Sequence, residues 1–83
     1  PSGLERDALR ALLHVPGAAG GWLGSLEASA FDVPAYRSAY EVLLLAGAPD
    51  ADEPDARWIE RVLAEAPEDL RVLLRALAVE PLP

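Results

Sequence analysis

The sequence contains no cysteine and, read along its length, no lysine and no asparagine. Without cysteine there is neither a disulfide staple nor a thiolate metal site. The one histidine, His14, excludes a histidine cluster for zinc. Gly20-Gly21 runs into Trp22 and lacks the Lys-Ser/Thr that completes a phosphate-binding loop. Long apolar runs are missing too, so no segment is expected to span a membrane. No charged-then-apolar start resembles a secretory leader, which leaves the cytoplasm as the expected compartment. No stretch alternates apolar and polar residues as a strand does, and no internal repeat is visible.

What is present is a hydrophobic share of 52%, ample for a globular core and too high for a disordered tail. The 83 residues are expected to form one helical protein-interaction domain over 1–83. A chain this short buries a smaller share of its surface than a large one, so its stability margin is thin. Fourteen acids stand against seven bases, all of them arginine, for a net charge of -7. That charge repels phosphate backbones, so direct nucleic-acid binding is not expected. Ala, Leu, Pro, Gly and Arg dominate, the bias of GC-rich coding sequence. Pro1 and Pro83 bound the chain without any tail, which reads as a piece cut from a longer protein.

Glycine and proline divide the chain into five segments, and the pattern predicts a compact all-α bundle of about five short helices. The first opens with Ser2-Gly3-Leu4-Glu5, the S-x-x-E spacing of a capping box. Leu4, Ala8, Leu12 and Val15 follow at helical spacing, flanked by Leu9 and Leu13, and predict a broad buried stripe. Glu5, Arg6, Asp7 and Arg10 are assigned to the other side, and Pro16-Gly17 ends the helix. The second segment, about 18–26, carries Gly20, Gly21 and Gly24, each costing about 1 kcal/mol relative to alanine in a helix. Trp22, Leu23 and Leu26 still give it an apolar face, so a short helix is expected that forms only through tertiary packing.

The third segment follows Phe31-Asp32-Val33-Pro34. Proline suits a first helical turn, where its missing N–H has no partner, and Asp32 is placed to cap it. Tyr36, Tyr40, Leu43 and Leu44 are expected on one buried face, with Gly47 as the C-terminal stop. Residues 48–54 read as a solvated acidic loop. A fourth helix over about 55–66 carries Trp58, Ile59, Val62, Leu63 and Ala66, with Arg61 and Glu65 four apart and placed to pair. Pro67 ends it and starts a fifth, with Glu68 and Asp69 in a first turn where the helix dipole favours negative charge. Leu70, Leu73, Leu74 and Leu77 form its stripe, and Pro81 and Pro83 end it.

The chemistry of sites is sparse, and no catalytic, cofactor-binding or metal-binding residue is assigned. A lone histidine late in a helix reads as a structural group at the negative end of the dipole. Asp50, Asp52, Glu53 and Asp55 alternate like a calcium loop but lack the glycine at its sixth place and the bidentate glutamate at its twelfth. Ser25, Ser29 and Ser38 have no partner base in sight. Trp58, in a clear stripe with Val62, reads as core. Trp22, among glycines, either packs or stands exposed as an interface anchor. Arg71 and Arg75, four apart, either solvate their helix or form a small positive spot for an acidic peptide or a partner helix. Trp22, Arg71 and Arg75 are therefore the candidate partner-binding residues.

Four segments carry a resemblance. Leu4-Glu5-Arg6-Asp7-Ala8-Leu9-Arg10-Ala11-Leu12-Leu13 resembles the L-E-R-x-A-L-x-x-L-L start of a helical domain, as does Phe31-x-x-Pro34-x-Tyr36 ahead of an apolar helix. Both signals are shared by the C-terminal helicase-binding domain of bacterial DnaG-type primases and the N-terminal domain of DnaB-type replicative helicases, which are similar in fold. Trp58-Ile59-x-x-Val62 and Leu77-Ala78-Val79-Glu80-Pro81-Leu82 look like the primase version. The helicase version would have a polar segment leading into paired helices and a V-D-x-x-T-like stretch, and neither is present.

The resemblance implies a non-catalytic module of DNA replication and the primosome. Its parent, a DNA primase (a DNA-directed RNA polymerase and nucleotidyltransferase), makes RNA primers on single-stranded DNA with a zinc-binding domain and a TOPRIM domain. The module would dock on the replicative helicase and in some members contact the acidic tail of single-stranded DNA-binding protein, for which Arg71 and Arg75 would serve. The family's domain is a six-helix bundle followed by a helical hairpin; this chain is expected to be a fragment of that bundle without the hairpin. The alternatives left open are the helicase's own N-terminal domain and a stand-alone helical adaptor, with an enzyme last.

Overall fold

The computed structural model describes residues 2–81, the side chain of Ser2 excepted. The hydroxyl half of the expected capping box and the Leu82 and Pro83 ends of the expected motifs therefore lie outside the described residues. Five α-helices follow in order: α1 (Ser2–His14), α2 (Ala19–Ser25), α3 (Pro34–Ala46), α4 (Asp55–Glu65) and α5 (Glu68–Val79). Single 3-10 turns, Pro16–Ala18 and Ala28–Ala30, join α1 to α2 and α2 to α3. The chain is all-α, with no strand among the described residues. Its Cα radius of gyration is 11.5 Å, against roughly 12 Å for a chain of this length packed as one body. No helix among the described residues is long and apolar enough to cross a membrane.

The helix boundaries follow from local chemistry. Pro16 cannot continue α1, and instead opens the following 3-10 turn with its ring buried. Pro34 starts α3 and Pro67 precedes α5, positions where a missing N–H costs nothing. Gly47 ends α3 with φ +75°, the left-handed region that glycine enters without penalty. Asp32 does not cap α3. The residue at the cap is Val33, and its side chain cannot accept a hydrogen bond.

α3 is the central helix. It packs against α4, α1 and α5, while α1 also lies along α5. The shared core holds Leu9, Leu12 and Leu13 of α1, Ala39, Tyr40, Val42 and Leu43 of α3, Trp58 and Val62 of α4, and Leu74 and Leu77 of α5. Phe31 stacks on Tyr40 with ring centroids 4.8 Å apart. Two expected stripes are shifted. On α1 the buried row is Leu9, Leu12 and Leu13, whereas Leu4 and Val15 stand 74% and 52% exposed. Leu4, Ala8 and Val15 share one face, and the core lies against the adjoining one. On α3 the buried face centres on Ala39, Tyr40, Val42 and Leu43, which turns Leu44 and Leu45 outward.

Candidate functional site

The polar side chains of this domain mostly serve its own backbone. α3 ends with carbonyls that have no helical partner, and α4 supplies the donors. Trp58, fully buried, donates Nε1–H to the Gly47 carbonyl at 2.7 Å. Arg61 donates to the Ala46 and Ala48 carbonyls, placing a cation at the negative end of α3. The same guanidinium forks onto Glu53, with Nε and Nη2 each 2.9 Å from a carboxylate oxygen. The expected Arg61–Glu65 pair is thus replaced by Arg61–Glu53, because a planar fork finds a bidentate carboxylate in the loop. Glu53 also accepts the Asp50 N–H. Arg61 first and this backbone donor second hold its carboxyl down at about 2. The 48–54 loop is therefore organised around a fixed carboxylate rather than solvated throughout; Asp50 and Asp52 remain exposed.

Arg71 repeats the device one helix later. Its Nε and Nη2 donate to the Leu63 and Ala66 carbonyls at 3.3 and 3.1 Å, closing the C-terminal end of α4. Arg75 is exposed, and the two arginines line a shallow depression of about 240 Å³ with Glu60, Leu63 and Ala64. The two candidate arginines do come together, but one is already bonded and a carboxylate sits beside them. His14 also serves a helix end, that of α5 rather than its own: Nε2 lies 3.2 Å from the Leu77 carbonyl, which requires the proton on that nitrogen. Ser25 donates back to the Gly21 carbonyl at 2.7 Å. No group of three or more His, Asp or Glu side chains suited to a metal ion occurs among the described residues.

A second polar cluster ties the first, third and fifth helices. Glu5 accepts the backbone N–H groups of Asp32 and Val33 at 3.1 and 3.0 Å. This is the task of a capping-box glutamate, performed for α3 by a residue of α1. Arg6 bonds the Glu80 carboxylate and lies 3.5 Å from the Tyr36 hydroxyl. Those two partners outweigh desolvation and raise the Arg6 pKa, the tyrosine contributing most. Arg10 reaches the other Glu80 oxygen at 3.3 Å and also pairs with Asp7. Its Nε is buried with no acceptor among the described residues. Glu5, Arg6 and Arg10, expected on the solvent side of α1, are instead half-buried. Nothing in helical periodicity could show this, because Asp32, Val33, Tyr36 and Glu80 all lie tens of residues away.

Trp22 occupies different ground. It is 41% exposed, which leaves it on the surface; the buried residue of α2 is Ala19, with Leu23 and Leu26 half-buried against the core. Its carbonyl and that of Leu26 lie 3.1 and 2.5 Å from the Tyr40 hydroxyl, whose single proton serves one at a time. Burial pushes that phenol above its ordinary pKa. The Trp22 ring helps line an apolar depression of about 210 Å³ with Ala11, Leu12, Val15 and Ala18. It shares no residue with the arginine depression. Sequence reasoning singled out Trp22 but missed Val15, whose exposure is signalled only by its place past the last buried leucine of α1. No protein-family model, curated protein or solved structure matches this chain.

Proposed function

We propose that this chain is a docking module of a bacterial DnaG-type primase, holding primer synthesis at the replication fork by binding the replicative helicase. What supports the reading is the meeting of three of the four segments on which the resemblance rests. Glu5 and Arg6 come from the first, Asp32, Val33 and Tyr36 from the second, and Glu80 from the last. They form one hydrogen-bonded cluster across α1, α3 and α5. These short segments, scattered over the chain, therefore share one tertiary neighbourhood.

The physical role is tethering. Linking two machines raises the local concentration of one at the other's substrate and needs no new chemistry in the link. The candidate contact residues remain Trp22, Arg71 and Arg75, and a contact with the acidic tail of single-stranded DNA-binding protein would use the last two. The test is surface plasmon resonance on the immobilised hexameric helicase of the same source. The full-length parent protein and this chain are injected in parallel. Both are expected to be retained, the shorter more weakly. Retention of neither would dispose of the reading.

A further inference from the structure

We infer that the edge formed by α1 and α2 is a docking groove for an amphipathic helix with cationic residues beside its apolar stripe. Leu4, Ala8 and Ala11 of α1 and Val15 just past its end recur at helical spacing, and Ala18 of the 3-10 turn and Trp22 of α2 extend the row. From Leu4 to Val15 the row covers roughly 16 Å of helix, about three turns. Leu4, Val15 and Trp22 stand proud, at 74%, 52% and 41% exposure, while Ala8 and Ala11 are small and half-buried between them. The depression beside Trp22 is lined by five apolar residues and holds about 210 Å³. That is below the ~300 Å³ at which small-molecule pockets begin, and it suits one inserted side chain of a partner helix.

Charge decides what that helix carries. Arg6, Arg10, Arg37, Arg61 and Arg71 donate hydrogen bonds within the domain. The exposed acids Asp50 and Asp55 line a depression with Pro16, Gly17 and Gly20, beside the Ala18 end of the row. Asp7 flanks the row itself, one turn from both Leu4 and Ala11, and is exposed, with one of its two oxygens paired to Arg10. A second copy of a chain with net charge -7 meets repulsion here, whereas a basic helix is steered toward the surface and held at its rim. The inference goes beyond the helicase reading, because it specifies a face and a chemistry and stands without that partner.

The test uses two labelled synthetic helical peptides of about 12 residues, long enough to cover the row. Both carry the same leucine stripe, flanked in one by arginine and in the other by glutamate. Fluorescence anisotropy reads affinity, and acrylamide quenching reads whether exposed Trp22 becomes covered while buried Trp58 stays dark to the quencher. The arginine peptide should bind, protect Trp22, and lose at least roughly tenfold in affinity with Val15→Asp or Ala11→Arg, as for a central anchor. Val72→Asp, on the exposed face of α5, should leave affinity unchanged, and circular dichroism checks that each variant folds. Equal binding of the glutamate peptide, no binding of either, or indifference to Val15→Asp overturns the inference. So does concentration-dependent dimerisation that Val15→Asp abolishes. Helicase capture unaffected by Val15→Asp would leave the docking-module reading standing and remove the helicase as occupant of this groove, a separate outcome.

Discussion

The two tryptophans sit in regions built on opposite terms. Trp58 lies where α3 ends and α4 passes beneath it, fully buried and bonded through its indole to the Gly47 carbonyl. Around it, Arg61 donates to the Ala46 and Ala48 carbonyls on either side and is itself held by the Glu53 carboxylate. Trp22 rides on a seven-residue helix containing three glycines, with one fully buried residue and a surface ring. The first region is over-determined, since packing, helix capping and a bidentate ion pair all require the same geometry. The second is held from outside, by Ala19 in the core and by the Tyr40 hydroxyl on its last carbonyls. Rigid support thus adjoins an exposed apolar edge, Gly17 and Gly20 lining one depression with Ala48 and Glu53, a division suited to a surface that must meet a partner.

Replacing each tryptophan by alanine puts the largest strain on this contrast. Trp58→Ala should cost about 3–5 kcal/mol through lost burial and the cavity left behind. For a domain whose total stability is about 5–15 kcal/mol, that threatens folding outright. Trp22→Ala should change stability by no more than about 0.5–1 kcal/mol, as for a surface position. Urea denaturation followed by circular dichroism measures both. Similar losses at the two sites would mean that α2 is as integral to the core as α4. Next in size is Gly21→Ala. A Cβ there meets nothing within 4 Å, so helix propensity should stabilise the domain by about 0.5–1 kcal/mol. The same change at Gly47 should destabilise it, because φ is +75°. A destabilised Gly21→Ala would show that α2 needs glycine for a reason other than its fold.

The fold was legible because its signals are local. Pro34, Pro67 and Gly47 mark helix ends wherever the helices later pack, and Leu74, Leu77, Trp58 and Val62 fall on the expected faces. The misassignments share one cause. Leu4 and Val15 belong to an apolar row, but periodicity cannot say whether a neighbour covers it. Asp32 has the right side chain for a cap, yet Glu5 from another helix takes over the backbone there. Arg61 has a helical neighbour in Glu65, yet a loop carboxylate offers two oxygens at once. In the last two cases a contact from outside the helix displaced a reasonable local one. The same holds for the candidate site. Trp22 was visible as an aromatic in a weak segment, but the groove beside it exists only once α1 and α2 are set against each other.

The smallest expected effect concerns the Arg61–Glu53 fork and acid. The Glu53 carboxyl, ordinarily near 4.5, titrates at about 2 in the folded protein. A group whose pKa is depressed by folding contributes stability above its unfolded value and loses that contribution as pH falls through its folded value. Glu53→Gln should therefore be less stable than the parent above about pH 4.5, with the gap closing as pH approaches 2. Thermal melts of the two proteins at matched pH read this difference and cancel the repulsion among the remaining acids, which both share. The control is Glu65→Gln, which leaves the fork intact and should show no such closing gap. If Glu65→Gln instead reproduced the pH dependence of Glu53→Gln, Arg61 would be pairing along its own helix after all. The over-determined joint beneath Trp58 would then lose one of its three supports.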